Sequence, residues 1–231
     1  MAQRIKTNIP FIVIAFLFLT GLLLIASPFI RDFIIERSIS HYQDEFDRLA
    51  PVEHDGPPGA ANIIAEIERP TMTTVLRHAF LQTDAPIAGA IAIPDIRFIL
   101  PIIDGLTTEH LLYGATTLTE NQPMGVGNYV LFGHHMAKGD LLFGPILQLE
   151  KDMDIFITDK SHIYHYIVTD TAIVSENDTH FAASTAEPII TLFTCDISKP
   201  TNMRFMAQAA LESQTNYIEG TSGAEQFAKK N

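Results

Sequence analysis

The chain has 231 residues, of which 47% are hydrophobic and 18% are charged. This composition allows a folded domain with a buried core and excludes a globally disordered chain. The formal net charge of -12 argues against binding to nucleic acid, whose protein partners carry basic patches, and against lying flat on an anionic membrane. We interpret most of this charge as the solvated surface of a globular domain.

The N-terminal segment is predicted to cross a membrane as a single helix. No charged residue occurs from Thr7 to Ile30, and this stretch is long enough to span a bilayer with every backbone group bonded internally. Arg4 and Lys6 precede it, so the positive-inside rule places the N-terminus in the cytoplasm and the rest of the chain outside. We assign residues 1–7 to a cytoplasmic N-terminus and residues 8–30 to a transmembrane anchor.

A cleaved signal peptide is the alternative for this segment. Its apolar region would be shorter, and Pro28 is a poor residue beside a cleavage site. Both interpretations place the remaining chain outside the cytoplasm. We therefore predict a single-pass protein of the cell membrane, with an uncleaved anchor and an extracellular domain.

Residues 31–80 are predicted to form an extracellular stalk that is partly helical. A helix is compatible with residues 32–49, a Gly- and Pro-rich break follows at 55–59, and a second short helix is expected over 60–68. The pattern leaves open whether this segment packs on the following domain or only spaces it from the membrane.

Short apolar runs separated by turn residues characterise the rest of the chain. Seven runs are predicted to be strands, at residues 87–93, 96–103, 128–132, 154–158, 162–174, 188–195 and 203–209. Short helices are predicted over 107–113 and 141–149. Many short strands with few helices indicate a closed barrel or a sandwich. We assign residues 81–212 to this domain and residues 213–231 to a flexible tail.

The chain contains a single cysteine, Cys195, at the end of the predicted strand 188–195. Exported proteins usually pair their cysteines in disulfides, so one external thiol is either a reactive nucleophile or a buried structural residue. Strand alternation places Cys195 on the same face as Thr191 and Phe193, where the strand meets a loop. This position favours a reactive group held by a rigid element.

Histidine is the usual proton partner of a catalytic thiol near neutral pH. Of the nine histidines, His134 and His135 directly follow an apolar strand, and only one of them can face Cys195 along an extended chain. His162 and His165 lie three positions apart on a predicted strand and should point to opposite faces. They make a poor chelate, and no metal site is predicted.

Arg204 opens the predicted strand 203–209, directly after the loop that follows Cys195. A hairpin would bring its guanidinium close to the thiol, where it could bond an oxyanion or hold a substrate. Spacing alone leaves open the alternative that Arg204 is an ordinary surface arginine.

Taken together, these residues resemble the sortase family. The strand motif Thr-Leu-x-Thr-Cys of that family occurs as residues 191–195, with Phe193 where Ile or Val is more frequent. The catalytic histidine, which follows Gly or Ser at a strand end, matches Gly133-His134, and the arginine of the next strand matches Arg204. The resemblance covers residues 80–212 and is greatest to class A, the housekeeping sortases of Gram-positive bacteria.

The resemblance implies a mainly β fold, a closed eight-stranded β-barrel with short helices that follows the transmembrane helix. It implies a cysteine transpeptidase that cleaves an LPxTG-type sorting signal of surface proteins between Thr and Gly. A thioacyl-enzyme would then transfer the protein to the amine of lipid II or another peptidoglycan precursor. The implied catalytic residues are Cys195, His134 and Arg204, and the implied substrate-binding residues are Phe193, Thr194 and His135.

No cofactor is expected, and the acidic charge argues against a nucleic-acid partner. Some family members bind calcium through an acidic set that has no clear match here, because Glu109 and Glu120 are the only acidic residues between Asp104 and His134. Two alternatives to a transpeptidase remain. One is a secreted, membrane-anchored cysteine protease that transfers its acyl group to water, and the other is a non-catalytic anchored binding domain with a structural cysteine.

Overall fold

The computed structural model describes residues 9–52, 72–81, 85–198 and 201–218. The predicted cytoplasmic N-terminus, the Gly- and Pro-rich break and the predicted helix over 60–68 lie outside the described residues, as does most of the predicted tail. Within the described ranges, the chain forms a long N-terminal helix, a second helix and a barrel of eight strands.

The barrel closes in the order β1-β2-β3-β4-β7-β8-β6-β5. Its strands are β1 (Ile87–Ile93), β2 (Phe98–Ile103), β3 (Ala115–Thr117), β4 (Asn128–Phe132), β5 (Asp154–Thr158), β6 (His162–Ser175), β7 (Ile189–Cys195) and β8 (Met203–Asn216). The pairs β2–β3 and β4–β7 are parallel, and the other neighbours are antiparallel. The predicted closed eight-stranded barrel is therefore confirmed.

Some elements of the structure differ from those predicted. The strands that were missed are defined by pairing with their neighbours and not by alternation of apolar and polar side chains. β3 was not predicted because its three residues are too few to show alternation, yet it pairs with both β2 and β4. β8 extends to Asn216, four residues into the predicted tail, because its polar outer part continues to pair with β6. The predicted helices 107–113 and 141–149 are reduced to the 3-10 turns His110–Leu112 and Gly144–Gln148.

Helix α1 (Ile9–Arg48) continues from the predicted anchor onto the surface of the barrel. Its first part is long and apolar enough to cross a membrane, and that part is not buried in the protein. Its second part buries residues spaced three and four apart, which form one helix face against the barrel: Ile35, Ile39, Tyr42 and Phe46. Thus α1 packs on the domain, which the sequence had left open. The second helix, α2 (Met72–Leu81), follows it and buries Val75.

Two lysines of the barrel fix the packed part of α1. Lys160, in the turn between β5 and β6, donates from Nζ to the backbone oxygens of Asp47 (2.9 Å) and Leu49 (2.8 Å), where the last carbonyls of a helix lack partners. Lys138 Nζ lies 3.3 Å from Glu36 Oε2, and this hydrogen bond raises the pKa of Lys138. The helix is therefore attached to the barrel near both ends of its packed part.

Candidate active site

The end of the β4–β7 pair aligns the segment after β4 with the end of β7. The Gly133 amide donates to the Phe193 carbonyl (3.1 Å), and the Thr194 hydroxyl donates to the Gly133 carbonyl (2.8 Å). These bonds continue the parallel register past the last paired residues. His134 directly follows Gly133, and Cys195 directly follows Thr194, at this end of the two strands. Two of the predicted site residues therefore lie at the same end of neighbouring strands.

The outer face of this strand pair is apolar. The Phe132 and Phe193 rings stack with their centroids 5.1 Å apart, and Val130 belongs to the same buried cluster. Because side chains alternate along a strand, His134 and Cys195 extend this outer face rather than the barrel interior. Cys195 is half-buried and is a free thiol, whereas His134 is buried.

Arg204 lies directly opposite Cys195 in the β7–β8 ladder. Its guanidinium donates from Nη1 to the carbonyls of Thr201 (3.2 Å) and Met203 (3.0 Å), and from Nη2 to Glu176 Oε2 (2.8 Å). A planar guanidinium bonded on two of its nitrogens has a fixed orientation. The hairpin thus brings a positioned positive charge to the strand pair that carries Cys195. The sequence does not identify Glu176 as the partner of Arg204, because nothing distinguishes it from other acidic residues that follow a strand.

His135 and Thr194 are bonded within the protein. His135 Nδ1 donates to the Cys195 carbonyl (3.0 Å), since a carbonyl oxygen only accepts, and so this nitrogen carries the ring proton. The buried Thr194 uses its hydroxyl on Gly133. These bonds align the segments around Cys195, and the substrate contacts of both residues stay predictions. Phe193, the third predicted contact, is buried in the outer cluster.

The connection between β6 and β7 is held over the same outer face. Asn128 donates from Nδ2 to the carbonyls of Phe181 (2.8 Å) and Ala183 (3.0 Å), and its Oδ1 accepts from the Thr191 hydroxyl (2.7 Å). Phe181 and Ala182 pack against the outer cluster. Sequence reasoning read Asn128 only as the first residue of a strand. The sequence feature that could have indicated this role is a polar residue at the start of an otherwise apolar strand.

The threonines of the strand motif bond to neighbouring segments on both faces of β7. Thr191 is completely buried and also accepts a hydrogen bond from Gln208 Nε2 (3.2 Å), which links β7 to β8. Leu192 packs inside the barrel. We conclude that the threonines of the motif fix neighbouring segments around the strand end that presents Cys195.

The described ranges contain no group of three or more His, Cys, Asp or Glu side chains placed to hold a metal ion. Asp104, one of the acidic residues considered in the sequence, accepts hydrogen bonds from the Thr117 hydroxyl (3.0 Å) and the Asn121 amide. Its carboxylate thus connects two segments of the barrel.

Gly133 is required by the close approach of an aromatic ring. A Cβ atom at this position would lie well inside van der Waals contact with the Phe143 ring, which is completely buried and packs edge-on against Phe98 with centroids 5.7 Å apart. The ring therefore cannot move away without disturbing the core. This contact explains why glycine precedes His134, because any side chain would displace the segment that holds the histidine.

We expect Gly133→Ala to destabilise the protein and to reduce activity. Overpacking of a dense core costs about 1–3 kcal/mol, which corresponds to a fall in Tm of roughly 2–12 °C. Thermal melting of the full chain in detergent measures the effect. Gly139→Ala is the matched control, because this exposed glycine of the same loop has nothing within 4 Å of an added Cβ. Equal melting temperatures for the two variants would contradict the steric explanation.

Known proteins resemble this chain over most of its length. A sortase-domain family profile matches residues 91–212. Sortase A of Listeria monocytogenes is 36% identical over 192 residues, which covers 83% of this chain and 86% of the relative. Sortase A of Bacillus anthracis is 30% identical over 206 residues, which covers 89% of this chain and 96% of the relative.

Solved structures show the same barrel. The crystal structure of Listeria monocytogenes sortase A matches with a TM-score of 0.57 and 40% sequence identity, and the match covers 59% of this chain and 93% of that chain. Sortase E from Streptomyces avermitilis matches with a TM-score of 0.52 at 22% identity, which shows the shared fold.

Proposed function

Because the chain belongs to the sortase family, with sortase A relatives, we propose that it cleaves LPxTG-type sorting signals between Thr and Gly and transfers the protein to a peptidoglycan amine. The observation that supports this proposal is that Arg204 lies opposite Cys195, while His134 follows β4 at the end of the β4–β7 pair where β7 reaches Cys195. A nucleophile, a proton carrier and a positioned cation are the three components that acyl transfer through a thioester requires.

In the proposed first step, the Cys195 thiolate attacks the carbonyl carbon of the signal threonine. A bond forms between Sγ and this carbon, and the negative charge moves to the carbonyl oxygen, where the Arg204 guanidinium stabilises it. When the intermediate collapses, the bond between the carbonyl carbon and the glycine nitrogen breaks. The His134 imidazolium gives its proton to the departing amine, so that a thioester remains on Cys195.

In the proposed second step, an incoming amine attacks the thioester carbon. Neutral His134 accepts a proton from this amine, and a second tetrahedral intermediate forms with its oxyanion again beside Arg204. The carbon–sulfur bond then breaks, which releases an amide product and restores the thiolate and the imidazolium. The net reaction exchanges one amide bond for another and needs no cofactor.

The proposed cellular setting follows from α1. An unburied apolar helix ahead of the barrel suggests anchoring in a membrane. The positive charges of Arg4 and Lys6 favour an N-terminus in the cytoplasm and a barrel on the outer side of the membrane. The proposed partners are surface proteins with an LPxTG-type signal and lipid II or a related peptidoglycan amine, both of which are found on that side.

Mass spectrometry of the full chain mixed with an LPxTG peptide tests this function. We expect an acyl adduct on Cys195 that ends in the signal threonine, and its conversion to an amide when a small amine is added. A carboxylic acid as the only product, with or without amine, would instead identify a protease. No adduct, together with failure of a thiol reagent to label native Cys195, would identify a binding domain with a structural cysteine.

We expect Arg204→Lys to reduce transfer about a hundredfold or more. Lysine keeps the charge but loses the planar donor pair, and loss of one oxyanion donor costs about 2.7–4 kcal/mol of transition-state stabilisation in other enzymes. The measurement is kcat/KM for peptide transfer, together with Tm. A wild-type rate, or an unfolded variant, would contradict the catalytic role of Arg204.

Glu176→Gln is the matched control for Arg204. It removes the negative charge from the Arg204–Glu176 pair but retains an amide oxygen that can accept the Nη2 hydrogen bond. Glu176 is exposed, and ion pairs of this kind contribute about 0–1 kcal/mol to stability. We therefore expect this variant to keep its Tm and to lose far less activity than Arg204→Lys.

A further inference from the structure

The strand directions define two ends of the barrel. At one end, β7 finishes at Cys195, and Ser175 of β6 pairs with Met203 of β8. We call this the site end. At the other end, which we call the far end, His162 of β6 pairs with Asn216 of β8. β8 runs from the site end to the far end over its 14 residues.

Helix α1 runs along the barrel from the site end to the far end. Glu36 pairs with Lys138, which lies in the loop that follows His134 and His135 at the site end. Further along the helix, the backbone oxygens of Asp47 and Leu49 accept from Lys160 in the β5–β6 turn at the far end. The apolar first part of α1 therefore projects from the site end of the barrel.

We propose that α1 holds the site end of the barrel toward the membrane surface, so that the site takes its substrates from that surface. The identity of these substrates, a peptide emerging from the bilayer and an amine carried by a lipid, rests on the function proposed above. The orientation itself rests only on the continuity of α1 and its contacts with the barrel.

The distance along α1 leaves little space between the bilayer and the site end. Glu36 lies six positions after Ile30, the last residue of the uncharged stretch, and at 1.5 Å per residue this distance is about 9 Å along the helix. The headgroup layer on each side of the hydrocarbon core is about 5–8 Å thick. The loop that contains Lys138 therefore lies at, or just beyond, the level of the headgroups.

The helix is continuous between the membrane-spanning part and the barrel, so it can fix the orientation of the barrel relative to the membrane. Residues 31–34 remain helical and connect the apolar stretch directly to Ile35, the first residue buried against the barrel. Pro28 is inside the helix, and a proline bends a helix because it lacks one backbone hydrogen bond. A bend at Pro28 would lie before the connecting residues, so it would change the tilt of the barrel without exchanging its two ends.

Attraction to lipid charge does not explain this orientation. On this part of α1, Asp32 is paired with Arg31 and Glu36 with Lys138, and the chain as a whole carries a charge of -12. The outer surface of an anionic bilayer would repel such a domain. The proposal therefore assigns the orientation to the covalent helix, and it predicts little change with salt or with the content of anionic lipid.

Depth-dependent quenching in liposomes tests the orientation without any substrate. Cys195→Ala removes the only cysteine, and a fluorophore is then attached to Gly139→Cys at the site end or to Asn216→Cys at the far end. Both positions are exposed. Lipids with a nitroxide on the headgroup quench over a short range, so we expect strong quenching at position 139 and little at position 216. Equal quenching at the two positions, or stronger quenching at 216, would overturn the proposal.

A flexible insertion tests whether α1 is the cause. Gly-Ser-Gly-Ser inserted after Asp32 interrupts the helix but leaves its packed part and the barrel unchanged. We expect the difference in quenching between positions 139 and 216 to collapse in this variant, and an unchanged difference would overturn the role given to α1. Peptide transfer in detergent by the chain that retains Cys195 is measured separately, so failure of the proposed function is distinguished from failure of the orientation.

Discussion

Cys195→Ala is expected to abolish both the acyl adduct and the transfer product. Cys195 is the only cysteine of the chain, so no other thiol can form the thioester. A serine or threonine hydroxyl is a far weaker nucleophile unless a neighbouring base activates it, and Thr194 already donates its hydroxyl to Gly133. The measurement is mass spectrometry of the enzyme after incubation with peptide, together with the rate of amide product formation.

The same variant should remain folded. Cys195 is half-buried at a strand end, and alanine retains its Cβ, so the substitution removes one sulfur and creates no large cavity. The backbone carbonyl that accepts the His135 hydrogen bond is also retained. We expect a Tm within a few degrees of the wild type. Transfer at a measurable rate by a folded Cys195→Ala variant would rule out the thioester mechanism.

Much of the barrel was predictable because its strands are short, apolar and bounded by turn residues. The limits of β1, β4 and β5 agree with the runs at 87–93, 128–132 and 154–158. β3 and the outer part of β8 were missed because long-range pairing, which a single sequence does not reveal, determines them. The packing of α1 was undecided because apolar positions spaced three and four apart indicate an amphipathic helix but do not identify the surface that it covers.

The candidate site was predicted from residue chemistry, but its supporting contacts were not. The motif and the spacing of Cys195 and Arg204 indicated a hairpin, and the structure places these two residues opposite each other. The bond from His135 to the Cys195 carbonyl and the bond from Arg204 to Glu176 join residues that lie far apart in the chain. Such contacts depend on the closed barrel, so the sequence offered no local pattern for them.

His134→Ala is expected to reduce transfer by about 10²–10⁴-fold, which is the usual contribution of general acid–base catalysis. The proposed mechanism uses this imidazole twice, to protonate the leaving amine and to deprotonate the incoming one. Loss of the side chain should therefore lower kcat for both the acylation and the transfer step, and single-turnover measurements with and without amine separate the two.

His135→Ala is the matched control in the neighbouring position. This histidine has a different task in the structure, because its Nδ1 proton is bonded to the Cys195 carbonyl at 3.0 Å. Loss of one such hydrogen bond costs about 0.5–1.5 kcal/mol, so we expect a lower Tm and at most about a tenfold loss of rate. His135→Ala should also leave the pH profile of the reaction unchanged, since the groups that exchange protons with the substrate are retained. An equal loss of rate in the two variants, or a larger loss for His135→Ala, would show that the acid–base role belongs to His135 rather than to His134.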